Sequence, residues 1–339
     1  MMRRRARLGS ALALFLLAPL VGEFLLGNQP ITQLPALFLL APMYGGGALL
    51  VRETARRTGH GWPTMVLLAA AYALIEEGPI DQMLWNPHYG GFDMGAAYAS
   101  THIPLLGMSV AMLQDVLTMH TVWSICVPIA LIEVFGPEPQ HRWLGNIGLP
   151  IVGLLFVASS VFLAVAQAHS EHYVASTALF AGATGVILAL IVTAFLLRRG
   201  PAAGLAGATP RPWVAFSAAF AVSSLYWLRD TLLPEHISDW VPVTGWFVLA
   251  GGFAALCVRW SRSRDWGPAH RLALAGGALL TYVWLGFSQA RDMDAPYATA
   301  MLGNVIFGLS ALALLTTATR ALNRRNAHHP ARVPQSQRA

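Results

Sequence analysis

The chain contains no lysine, two cysteines and little charge of either sign, with 11% of its 339 residues charged and all 22 basic residues arginine. The cysteines, Cys126 and Cys257, fall inside apolar stretches and match no paired-cysteine metal spacing, which excludes a disulfide and a thiolate site. They read as small packing residues. No glycine-rich nucleotide loop or cofactor fingerprint is present, so an ATP-driven core is excluded. No internal repeat stands out. The basic start, Met1 to Leu20, lacks a small-x-small cleavage site and continues apolar through Glu23 to Leu26, so it is expected to remain as a first span. Its three arginines lack the rest of a twin-arginine signal and act as a topology signal.

What is present is apolar surface: 55% of residues are hydrophobic and the mean hydropathy is +0.53. Stretches of about 20 apolar residues, long enough to cross ~30 Å of hydrocarbon, recur along the chain. The expected fold is an all-α polytopic membrane helix bundle, with ten helices at 9–27, 34–51, 62–80, 106–134, 143–166, 174–197, 212–228, 241–260, 270–289 and 296–318. Residues 1–320 form one polytopic domain: helices 1–6 carry the polar residues, and helices 7–10 follow a Gly-, Ala- and Pro-rich linker at 199–212. Residues 321–339 are expected to be a disordered basic tail.

The net charge of +6 does not imply nucleic acid, because multispan proteins concentrate basic residues in cytoplasmic loops. With both termini cytoplasmic, twenty arginines fall inside and two, Arg229 and Arg291, fall outside. Trp62, Trp143, Trp213 and Trp260 then mark inner boundaries, and Trp85, Trp227 and Trp240 outer ones. The lipid bilayer of a cell membrane is the first partner. All-arginine basicity with abundant Ala, Gly and Pro points to a bacterium with a GC-rich genome.

Ionisable residues at membrane depth are costly and mark function. A rise of ~1.5 Å per residue places Glu23, the pair Glu76 and Glu77, and Asp115 roughly 10 Å below the outer surface. Asn304 lies at a similar level and His120 deeper. Their shared level predicts an outward-opening polar cavity lined by Glu23, Asp115 and Asn304 and floored by His120. Helical neighbours point about 100° apart, so one of Glu76 and Glu77 is expected to be the working base. The outer loop from Asp81 to Pro104, with Asn86-Pro87, Gly90-Gly91 and several aromatics, has bulk enough to dock as a lid. Pro128 predicts a kink in helix 4, and Pro42 with Gly45-Gly46-Gly47 a close helix approach. Arg52, Glu53, Arg56 and Arg57 read as an interfacial anchor, and Glu133 as solvated. His88, His102, His169, His172 and His236 with Glu171 offer zinc-binding chemistry on the outer face, although no cofactor is evident.

Glu76-Glu77-Gly78-Pro79-Ile80-Asp81 resembles the first motif of the CPBP family, the CAAX-protease and bacteriocin-processing intramembrane proteases. Tyr98-x-x-x-His102 and His120-x-x-x-Ser124 are similar to its two histidine motifs. Asp81 stands where the family has Arg, and Ser124 where it has Asn. The resemblance covers residues 70–135. It implies a glutamate-activated water attacking a peptide bond, with histidines stabilising the oxyanion or holding a metal. The first functional expectation is a membrane-embedded hydrolase in which Glu77 or Glu76 activates water and His120 or His102 polarises the scissile carbonyl, acting on a membrane-associated peptide or lipid-linked molecule that enters at the outer leaflet. A proton-coupled transporter using the same carboxylates, and a non-catalytic membrane subunit, are the other classes compatible with this composition.

Overall fold

Apolar runs that meet no water must satisfy their backbone amides internally, and helices do so within one segment. In the computed structural model, which describes residues 2–91, 95–136, 141–197, 199, 209–234, 236–293 and 295–328, nearly all long apolar runs are helical. Helix α1 (Met2–Pro19) continues into a π turn, Leu20–Leu25. Helix α2 is Leu37–Arg57, and α3 (Trp62–Ile75) ends in a second π turn, Glu76–Ile80. A short α4 (Gly95–Ser100) precedes a hairpin, β1 (His102–Ile103) and β2 (Met108–Ser109), paired His102 to Ser109 and Ile103 to Met108. Helix α5 (Val110–Thr118), a third π turn (Met119–Cys126) and α6 (Val127–Phe135) make one continuous rod. Then follow α7 (Gly148–Glu171), α8 (Thr177–Leu196), α9 (Pro212–Trp227), the short α10 (Arg229–Leu232), α11 (Trp240–Ser261), α12 (Pro268–Ser288) and α13 (Tyr297–His328).

Among the described residues, eight of these rods are long and apolar enough to cross a membrane. Two more are shorter: α3, with 14 residues before its 5-residue π turn, and α9, with 16. The chain is thus a helical polytopic bundle.

One core joins α1, α2, α3, the third π turn, α6 and α7 through Leu14, Leu49, Met65, Ile125, Ile129 and Val152. The other joins the first and third π turns and α6 to α12 and α13 through Val21, Trp123, Leu131, Leu279 and Ala311. The last helices therefore pack directly on the first, across the linker, of which residues 200–208 lie outside the described part. The close approach expected near Pro42 is present: a Cβ on Gly45 would lie 2.0 Å from the Phe15 carbonyl oxygen, so only glycine lets α2 press onto α1. Helices α7, α8 and α11 bury just 11%, 11% and 6% of their most apolar windows, which leaves their side chains for lipid.

Two expectations are corrected near the ends of α6 and α13. The tail is helical to His328, because Ala321, Leu322, Arg324 and Arg325 are good helix formers, Leu322 is buried, and Arg325 Nη2 donates to the carbonyls of Phe135 and Gly136. The rest of that tail, 329–339, lies outside the described residues. Glu133 is buried, not solvated, for reasons given below.

Candidate functional site

Each of the three π turns has a proline in or beside it: Pro19 before the first, Pro79 within the second, Pro128 just after the third. Proline removes one i→i−4 hydrogen bond and crowds the preceding turn. A π turn absorbs that defect, and π turns inside α-helices concentrate at functional sites. The wide turns are visible in the backbone, where Asn28 N donates to Glu23 O at 2.9 Å and Asp81 N to Glu76 O at 2.8 Å, each across five residues. Glu23 sits in the first π turn, Glu76 and Glu77 in the second, His120 in the third.

The second and third turns meet at His120. Its Nδ1 lies 2.8 Å from Glu76 Oε2 and its Nε2 2.6 Å from Glu77 Oε1. Both glutamates therefore face one imidazole, which corrects the expectation that adjacent positions cannot share a target. A π turn takes more residues than an α turn, so neighbours diverge less. At these distances one atom of each pair must carry a proton, since two bare lone pairs repel. The triad thus holds at least two protons, whether His120 is an imidazolium between two carboxylates or a neutral ring beside one protonated glutamate. Ser124 Oγ lies 3.2 Å from the same Nδ1, one helical turn on.

Glu23 adjoins this centre through Tyr44. The Tyr44 hydroxyl donates to Glu23 Oε1 at 2.6 Å, Asn28 Nδ2 donates to Oε2 at 3.4 Å, and the Tyr44 ring lies 6.0 Å from the His120 ring. Gly22 makes the room: a Cβ there would fall 2.8 Å from Ser124 Oγ and 3.3 Å from Tyr44 Cε1. Sequence depth alone did not single out Tyr44 or Ser124 as partners.

Other expected members lie elsewhere. Asp115 is taken by Arg229, whose Nη2 reaches its two oxygens at 2.9 and 3.0 Å, and by the Tyr226 hydroxyl. Depth along a helix sets level but not direction, and Asp115 turns toward α9 and α10. Asn304 Nδ2 donates to the Gly286 carbonyl at 2.6 Å and ties α13 to α12. His102 lies in the hairpin beside Tyr98, at 6.2 Å between rings, and takes part in none of the triad's contacts among the described residues.

The expected outward-opening cavity is also corrected. Exposure is 0% at Glu76, 4% at Glu77 and His120, and 8% at Glu23, so the centre is enclosed in this conformation. The loop after Asp81 packs on α8 and the end of α7: Trp85 meets Phe180 edge-on and lies against Gly78, Gln82 Oε1 accepts from Ala175 N at 2.7 Å, and Glu171 accepts from Asn86 Nδ2 and Gly90 N. Burial pushes the Tyr89 phenol in this loop well above its usual value, and it stays neutral while Gln167 Nε2 donates to it at 2.6 Å. Residues 92–94 of the loop lie outside the described part. Among the described residues, no group of three or more His, Cys, Asp or Glu side chains could hold a metal, and Glu171, in the outer set considered for zinc, is already committed to the loop.

The residues expected to form an interfacial anchor instead make a second buried polar centre. Arg52 and Glu53 have no exposed surface. Arg52 Nη1 meets Glu53 Oε1 at 2.6 Å, its Nε meets Glu133 Oε1 at 3.2 Å, and its guanidinium stacks 3.3 Å above the Trp143 ring. Arg56 grips both oxygens of Glu133, and Glu53 accepts from the backbone of Trp143 and Leu144. This network ties α2 to α6 and to the loop before α7. The long-range partner Glu133 is what local spacing failed to reveal.

The chain belongs to an uncharacterized membrane protein family, whose model matches residues 12–325. No curated protein and no solved structure matches it.

Proposed function

We propose that this chain is a membrane-embedded hydrolase whose acid–base machinery is Glu76, Glu77 and His120. The observation that carries this is the clasp of His120 between both glutamates, one at each ring nitrogen, in a buried setting. One glutamate takes a proton from water as the water oxygen attacks an amide carbonyl. The other holds His120 protonated, so the imidazolium can steady the oxyanion and then deliver its proton to the leaving nitrogen as the C–N bond breaks. The substrate class is a membrane-associated peptide or a lipid-linked amide. The likeness to the CPBP motifs supports this assignment at Glu76, Glu77, His120 and Ser124, whereas His102 has no role in it. The docked loop from Asp81 onward must swing away to admit substrate from the outer side.

The topology that fits has ten crossings of a bacterial cell membrane, α3 and α9 included, with both termini cytoplasmic. The arginine bias and the like spacing of the helices support it. Complete enclosure of the triad favours one alternative, a proton-coupled carrier caught closed, for which proton-dependent solute flux in proteoliposomes is the test.

Turnover of N-acylated peptide amides by protein in proteoliposomes tests the hydrolase. Glu76→Gln and Glu77→Gln should each lower it by about 10²- to 10⁴-fold, the usual worth of a general acid or base, with the fold retained. Undiminished turnover in the double variant rules the proposal out.

A further inference from the structure

Arg271, in the first turn of α12, forms no hydrogen bond and no ion pair among the described residues. It is only partly exposed, and the charged groups that act on it are Glu133 and Arg56. Glu133 is already spent: its Oε1 accepts from Arg52 Nε at 3.2 Å and Arg56 Nε at 3.0 Å, and its Oε2 from Arg56 Nη2 at 2.8 Å. Glu53 is likewise engaged, by Arg52, Arg57 and the amides of Trp143 and Leu144. A guanidinium keeps its charge, and one withdrawn from water calls for an anion. A second donor is also unanswered. Trp62, at the start of α3, packs into the same core as Ala269 and Leu272 of α12, and its Nε1 is buried without a partner. Where α11 ends and α12 begins, Trp266 stacks on His270 with ring centroids 4.7 Å apart and on Trp260 at 6.2 Å, the kind of aromatic belt that marks a membrane–water boundary.

We propose that Arg271 and Trp62 hold the phosphate group of an anionic ligand where α2 and α6 end and α3 and α12 begin. The planar guanidinium donates to two phosphate oxygens at once, a fit that an ammonium lacks, and the indole N–H adds a further donor. The phosphate belongs to a lipid headgroup at the boundary or to free phosphate from the aqueous side, since one chemistry serves both. The site shares no residue with the His120 triad, so it stands whether or not the hydrolase reading does.

The test follows the thermal unfolding midpoint of the full chain in phosphatidylcholine nanodiscs, first as phosphatidylglycerol is mixed into the bilayer and then as inorganic phosphate is added to the buffer, with sodium chloride as the ionic control. Wild type should be stabilised in a saturable way by one of the two. Arg271→Gln should need at least about tenfold more of that ligand for the same rise, the worth of a hydrogen bond to a charged group. Trp62→Phe should shift the requirement in the same direction by a smaller factor. Arg262→Gln, at an exposed arginine just before α12, should respond as wild type does. Without ligand, Arg271→Gln should unfold at the wild-type midpoint, because it breaks no pair. Saturation by phosphatidylglycerol alone assigns the site to a lipid headgroup, and saturation by inorganic phosphate assigns it to the free anion. No saturable response of wild type to either, or an unchanged requirement in Arg271→Gln, overturns the site.

Discussion

At the scale of single residues, two enclosed polar centres of opposite character stand out. The one around His120 sets two glutamates against a single imidazole, and the other has two carboxylates answered by Arg52 and Arg56. Removing one partner of a buried pair costs about 3–5 kcal/mol, since the other charge is left without an answer. Arg52→Ala should therefore destabilise the protein by that amount in chemical unfolding from detergent. Arg52→Lys should recover little of it, because an ammonium cannot reach Glu53, Glu133 and the His141 carbonyl together or stack on Trp143. His120→Gln keeps both a donor and an acceptor between the two glutamates, so it should cost less stability than Arg52→Ala in the same measurement, yet abolish turnover.

At the scale of elements, a proline lies in or beside each π turn that carries Glu23, the Glu76–Glu77 pair or His120. The π turn at Glu76–Ile80 brings two successive side chains onto one imidazole, an arrangement a regular helix with its wider angular step does not permit. Pro79→Ala restores the missing amide and should let the turn tighten. The expected outcome is lost turnover with unchanged or improved thermal stability, and retained full turnover would separate the π turn from the chemistry. The docked loop is the second decisive element. Gln82 is held at φ 58° with its side chain on the Ala175 amide, a conformation uncommon outside glycine. Gln82→Ala leaves that buried amide unanswered, worth about 1–3 kcal/mol. Looser docking should speed labelling of Glu76 or Glu77 by a membrane-permeant carbodiimide, mapped by mass spectrometry.

At the scale of the whole molecule, the two polar centres hold different parts of the bundle. The Arg52 network binds α2, α6 and the pre-α7 loop together, while the His120 triad joins the π turn after α3 to the one between α5 and α6. The proposed topology puts the hairpin tip and the loop before α7 on opposite sides of the membrane. With Cys126 and Cys257 replaced, single cysteines at Leu105, 90% exposed, and at Gly145, exposed, should react with an impermeant maleimide from opposite faces of oriented vesicles. Reaction of both from one face removes the orientation and the crossing count together.

The sequence by itself determined the class, the order of the helices and the costly placement of Glu76 and Glu77 at the end of an apolar run, because hydrophobic length and the cost of burying charge are properties of a local stretch. Only the tertiary structure decided which polar groups meet. Asp115 and Glu23 share a level in the bilayer, but azimuth and partner are set by packing, so Glu23 joins the centre through Tyr44 while Asp115 goes to Arg229. Glu133 and Arg52 lie 81 residues apart along the chain, and no spacing rule connects them. Local composition reports what a segment must bury, and the fold alone settles what it is buried against.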